Sequence, residues 1–125
     1  MTRSTSAVPS AVKFSEVAAW IPEAGEIVWL QFDPQAGHEQ AGRRPAVVLS
    51  RSDYNSRSGL LLCCPTTTRI KGYPFEVALS GSPAAVALAD QVRNVDWRAR
   101  EAKPKGRVTP PQLAEIRAKA RALLG

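Results

Sequence analysis

At 125 residues, 44% of them hydrophobic, the chain is large enough for one packed core and too short for two. No apolar run approaches the roughly 18–20 residues that a membrane-spanning helix needs. Seventeen Lys and Arg against eleven Asp and Glu leave a net charge of +6, a bias toward polyanionic partners such as nucleic acid.

The first twenty residues, MTRSTSAVPSAVKFSEVAAW, are rich in Ser, Thr and Ala and read as a flexible N-terminal extension. Pro9, Lys13 and Glu16 interrupt any apolar stretch of signal-peptide type, so a cytoplasmic location is expected, with no membrane association. Residues 21–125 read as a single domain. GEIVWLQFDP is predicted as a strand, with Val28, Leu30 and Phe32 on one face and Ile27, Trp29 and Gln31 on the other. QAGHEQAGRR is a loop with two glycines. PAVVLS is a second strand with Pro45 at its first residue, where a strand tolerates proline. SDYNSRSG reads as a polar turn, LLLCCP as a central strand, TTTRIKG as a polar loop and YPFEVALS as a fourth strand. AAVALA and DQVRNVDW supply two more short strands. Cys63 and Cys64 are neighbours on the central strand and point to opposite faces, which argues against a disulfide between them. With one histidine beside them they cannot furnish an ordinary four-ligand zinc site.

The C-terminal stretch changes character. Thr109-Pro110-Pro111-Gln112 has the form of a capping box with proline at the first helical position. Leu113, Ile116, Ala120 and Leu123 then recur at helical spacing, Glu115 and Lys119 form an i,i+4 pair, and Gly125 closes the helix. Arg117, Lys119 and Arg121 are assigned to its solvated face. Short strands followed by one capped helix predict a mainly β (α+β) fold, a small antiparallel barrel or half-barrel with a C-terminal helix packed on it.

The residue inventory narrows the chemistry. There is no phosphate-binding loop of the nucleotide-hydrolase kind, and Asp33, Asp53, Asp90 and Asp96 are scattered, so no carboxylate cluster suggests magnesium. His38 is the sole histidine, which removes a serine triad and paired-histidine cleavage within one chain. Carboxylate, guanidinium and hydroxyl remain. They suit attack of a ribose 2′-hydroxyl on its adjacent phosphodiester, a reaction that needs a base, charge stabilisation at phosphate and an in-line geometry. Glu39 can be the base and Arg44 the phosphate clamp, since a guanidinium meets phosphate in a bidentate fork. A hydroxyl of Thr66, Thr67 or Thr68 can donate to the same phosphate. Each residue also has a plainer reading: Glu39 as a loop acid neutralising Arg43, Arg44 as a sheet-edge residue, and the threonines as a strand end.

Three stretches carry a resemblance: GEIVWLQFDPQAGHEQAGRRPAVVLS, CCPTTTRIKGYPFEVALS and ALADQVRNVDWRAR. Together they closely resemble the MazF/PemK family of toxin endoribonucleases, in order from Pro22 to Gly125. The resemblance implies an SH3-like barrel of the CcdB/PemK kind with a C-terminal helix, assembled as a homodimer. It implies metal-independent and cofactor-free cleavage of single-stranded RNA at a short sequence, leaving a 2′,3′-cyclic phosphate and a 5′-hydroxyl. It also implies inhibition by a cognate MazE-type antitoxin whose acidic tail lies in the same cleft. By position, Arg44, Thr67 and Glu39 correspond to the family's catalytic residues. Arg43, Thr68, Arg69, Lys71 and Gln91 fall on the expected RNA surface, with Arg69 and Lys71 reaching phosphate and Gln91 a base. Trp97 is assigned to the core or a dimer contact. Two other functions fit a barrel of this form: a non-enzymatic toxin that binds DNA gyrase, and an RNA-binding barrel without cleavage.

Overall fold

The computed structural model describes residues 20–32 and 42–125. His38, Glu39 and the predicted extension up to residue 19 lie outside the described residues. The elements are β1 (Glu26–Gln31), β2 (Arg43–Val48), α1 (Ser52–Ser58), β3 (Leu60–Thr67), β4 (Glu76–Leu79), β5 (Ala85–Leu88), β6 (Arg93–Asp96), β7 (Lys103–Arg107) and α2 (Pro110–Leu124). The seven strands among the described residues form one curled antiparallel sheet in the order β4-β5-β3-β2-β1-β7, with β6 also pairing with β3.

β3 occupies the centre, as its unbroken apolar run predicts. Both faces of the sheet are covered, and side-chain alternation sorts the apolar residues between two clusters. Val28, Leu30, Ala46, Val48, Leu61, Cys63, Val95 and Trp97 fill one. Val47, Leu49, Cys64, Val77, Ala87, Ala89, Val108 and Ile116 fill the other. The adjacent cysteines therefore sit in different clusters, both free and buried. Burial raises their thiols from the ordinary 9.0 to about 11 for Cys63 and about 12 for Cys64, so neither is a nucleophile near neutral pH. Trp97 is a core residue, packed edge-on against Trp20 at a centroid distance of 6.1 Å.

Several features depart from the sequence reading. SDYNSRSG is helix α1, ended by Gly59 at φ 74°, a conformation open to glycine at little cost. Its single buried residue is Asn55, so the segment carries no apolar periodicity to announce a helix. Asn55 instead supplies polar anchoring: Nδ2 donates to the carbonyls of Pro22 (2.8 Å) and Ser50 (3.1 Å), and Oδ1 accepts from Ser50 Oγ (2.6 Å). The Asn55 carbonyl accepts from Trp97 Nε1 at 2.9 Å. Strand β7 arises from KPKGR, whose Pro104 and Gly106 are both disfavoured in strands. Of YPFEVALS only Glu76–Leu79 is strand, whereas β3 continues through Thr66 and Thr67, residues assigned to a loop.

The fourth departure concerns α2. Its capping box forms as predicted, with Gln112 N–H donating to Thr109 Oγ1 (3.2 Å) and Thr109 N–H to Gln112 Oε1 (2.9 Å). The Lys119–Glu115 pair also forms, at 3.1 Å. Arg117 and Lys119, however, are not merely solvated: they donate to the carbonyls of Leu49 (2.6 Å) and Glu76 (3.1 Å). Long basic side chains lie along the apolar surface and fasten the helix to the sheet at their polar tips.

Candidate active site

The site is built where β2 and β3 part. Their antiparallel register runs Val48↔Cys63, Val47↔Cys64, Ala46↔Pro65 and stops there, because the next residue, Pro45, has no N–H to give to the ladder. Continued by two residues, that register sets Arg44 across from Thr67. Past the break β3 changes partner, pairing through Thr66 and Thr67 with β5. The gap opens into a cleft of about 590 Å³ lined by Arg43, Arg44, Pro45, Thr66, Thr67 and Thr68, with Ile27 and Trp29 as its floor. The turn Ser80–Pro83 and Lys105 complete its walls.

Strand β2 begins at Arg43, not at Pro45 as the proline suggests, so both arginines belong to the strand. Arg44 pairs with Leu30 and Arg43 with Gln31 across β1. That ladder fixes their backbone in a way that a loop would not. Their side chains differ. Arg43 lies 3.9 Å from the Glu101 carboxylate, an ion pair at the cleft margin. Arg44 is exposed and has no ion pair among the described residues. Its guanidinium is available to an incoming anion, which it can meet in a bidentate fork. Thr67 Oγ1 accepts a hydrogen bond from the Arg69 N–H at 3.0 Å. The hydroxyl is thereby oriented while its own proton stays free to donate.

A second hollow of about 210 Å³ adjoins the first and shares Thr67 with it; Arg69, Lys71, Tyr73, Asp90 and Gln91 are on its wall. The loop between β3 and β4 is pinned by Glu76, whose carboxylate accepts from the backbone N–H groups of Lys71 (3.0 Å) and Gly72 (2.9 Å). Arg43, Arg44, Thr67 and Thr68 thus line the first hollow and Thr67, Arg69, Lys71 and Gln91 the second, with Thr67 common to both. The structure brings together every predicted site residue that it describes; Glu39 lies outside the described residues. The base of its loop is defined, since Phe32 N–H donates to the Gly42 carbonyl at 2.7 Å. Arg100 secures the end of β1 beside it, donating to the carbonyls of Gln31 (3.0 Å) and Phe32 (2.7 Å). Among the described residues no group of three His, Cys, Asp or Glu side chains could hold a metal ion.

Trp29 and Lys105 belong to this cleft and were not singled out from the sequence. The available signal was a lysine set between proline and glycine in KPKGR, the pattern of a distorted edge strand.

Residues 23–124 match the family model for the PemK-like, MazF-like toxin of type II toxin-antitoxin systems. The chain is 54% identical over 110 residues to the endoribonuclease toxin MazF of Escherichia coli K12, an alignment covering 87% of this chain and 99% of that protein.

The chain belongs to the PemK/MazF toxin family.

Solved structures agree with this PemK/MazF assignment. MazF of Deinococcus radiodurans matches with a TM-score of 0.76 at 52% identity, over 85% of this chain and 98% of that one. A MazE–MazF complex from the same organism matches with a TM-score of 0.75 at 45% identity, over 85% and 97% of the two chains. The curled half-barrel with its C-terminal helix is therefore the PemK/MazF fold.

Proposed function

We propose that this protein is the endoribonuclease toxin of a toxin–antitoxin pair, cutting single-stranded RNA without a metal ion. The observation that supports this most is the sharing of one cleft by an uncommitted guanidinium, Arg44, and an oriented hydroxyl, Thr67. The substrate carries its own nucleophile, so the protein has only to remove a proton, hold the phosphate and stabilise its growing charge. Arg44 grips two phosphate oxygens in its fork while Thr67 donates its free proton to one of them. Glu39 takes the 2′-hydroxyl proton. The 2′-oxygen bonds to phosphorus, the bond to the 5′-oxygen breaks, and that oxygen leaves with a proton taken from water. The products are a 2′,3′-cyclic phosphate and a 5′-hydroxyl. Thr68, Arg69, Lys71, Gln91 and Arg43 line the path of the flanking nucleotides, reading unstacked bases and backbone in the manner of single-strand recognition.

The same reading includes a MazE-type antitoxin, whose acidic tail would compete for this basic cleft, and a homodimer in the cytoplasm. Tyr54, Leu62 and Val92 are exposed apolar side chains. Tyr54 and Leu62 adjoin Asn94, which pairs with Leu62 across β3 and β6 and donates to the Tyr54 hydroxyl at 3.1 Å, and Val92 lies two residues before it in the chain. Such a patch suits burial against a second copy.

Incubation of the protein with mixed-sequence single-stranded RNA in chelator tests the proposal. Discrete fragments with cyclic-phosphate and 5′-hydroxyl ends support it. Intact RNA with arrested DNA gyrase would replace it with the gyrase-binding reading, and retarded but uncut RNA with that of a plain RNA-binding barrel.

A further inference from the structure

Lys105 is the residue that the pairing of β7 with β1 skips. The register runs Glu26↔Arg107 and Ile27↔Gly106, then shifts to Val28↔Pro104 and Trp29↔Lys103, leaving Lys105 without a partner. Pro104 lacks the N–H that a regular ladder would use, and Gly106 offers no side chain to pack, so the bulge is written into KPKGR. A bulge re-aims the side chain it carries. Here it sets Lys105 Nζ over the ring of Trp29, 5.3 Å from its centroid, and both residues face the cleft that holds Arg44 and Thr67.

Among the described residues Lys105 has no carboxylate partner. A cation resting on the half-buried indole of Trp29 is held loosely, and it is not neutralised as it would be by a counter-ion. It can therefore be taken up by an incoming anion. β7 lies two strands away from β2, about 10 Å at ordinary strand spacing. The phosphate that reaches it is thus a neighbour of the one Arg44 holds.

We propose that Lys105, presented by the bulge and supported by Trp29, is a substrate-binding residue that grips a second backbone phosphate of the bound RNA and so anchors the strand beside the first. This rests on the endoribonuclease reading and extends its substrate path to β7.

The test measures binding of a labelled single-stranded RNA, made uncleavable by 2′-deoxy sugars, across a salt series, together with steady-state cleavage of the ribose form. Lys105→Gln should shallow the log–log salt slope by about 0.7, the value for one single-strand phosphate contact. It should raise KM about tenfold with kcat within about twofold, and Lys105→Arg should restore both. A Lys105→Gln protein with the parent slope and KM would overturn the assignment. If the parent protein binds RNA without cutting it, the cleavage reading falls while the slope still decides Lys105. A parent protein that binds no RNA overturns both.

Discussion

Adjacent arginines on one strand end up in different circumstances, and the difference bears on the roles proposed for them. Arg43 is drawn toward Glu101, whereas the Arg44 side chain is uncommitted among the described residues. Arg44→Ala should lower cleavage by about 100- to 1000-fold, the effect of removing one donor from a charge-stabilising site, and leave the melting temperature close to that of the parent. Arg44→Lys should recover little of it, because a point charge does not replace a fork. Thr67→Ala should cost a similar factor, while Thr67→Ser, which keeps the donor, should retain most of the rate; single-turnover cleavage of one defined RNA measures both. Arg44 stands out in the sequence as an arginine before a strand proline, whereas the threonine run offers Thr66, Thr67 or Thr68 alike, and only the resemblance to the MazF/PemK family singles out Thr67. Lys105 was not legible. A lysine in a charged stretch looks like any solvated lysine until the strand it pairs with, and the residue skipped in that pairing, are known.

The elements that the sequence hid are those held by something other than an apolar stripe. Helix α1 spends its one buried position on Asn55, and β7 is exposed along its whole length. Periodicity reports burial of apolar side chains, so a helix fixed by an amide and a strand fixed by backbone pairing are both silent to it. α2 was legible, since its cap and its apolar spacing are local signals, although the bonds of Arg117 and Lys119 to strand carbonyls depend on tertiary placement. Asn55→Ala should be costly for a small helix. It strips partners from Ser50 and from the Pro22 carbonyl, and leaving such groups buried and unsatisfied costs about 1–3 kcal/mol. Urea denaturation, with an unchanged m-value, measures that loss. Thr109→Ala should remove about 1 kcal/mol by undoing the capping box, and the same denaturation series checks it.

Across the whole molecule, the two buried thiols set an alkaline limit to stability. Both lie above the ordinary 9.0, Cys63 at about 11 and Cys64 at about 12, because burial withdraws water from the thiolate. The fold thus favours their protonated forms. Their contribution is complete below pH 9 and is lost as pH climbs from there toward about 11–12, since the unfolded chain releases these protons first. Melting temperature should fall across that window, and Cys64→Ala should make the fall shallower. A variant whose pH dependence matches the parent's would remove Cys64 from this account. At the same scale, the proposed homodimer is tested by Leu62→Glu, which charges the exposed patch around Asn94: light scattering should report two chains for the parent and one for the variant. The placement of Cys63 and Cys64 in separate clusters has a further consequence, for how the toxin can fail. One strand feeds both interiors and also ends in Thr67, so a one-residue slip of β3 would turn both thiols onto the wrong faces as it displaced the hydroxyl. Loss of catalytic alignment is in this way tied to global unfolding. On that reading the cleft is lost together with the sheet that carries it, and not by a local loosening of β3 alone.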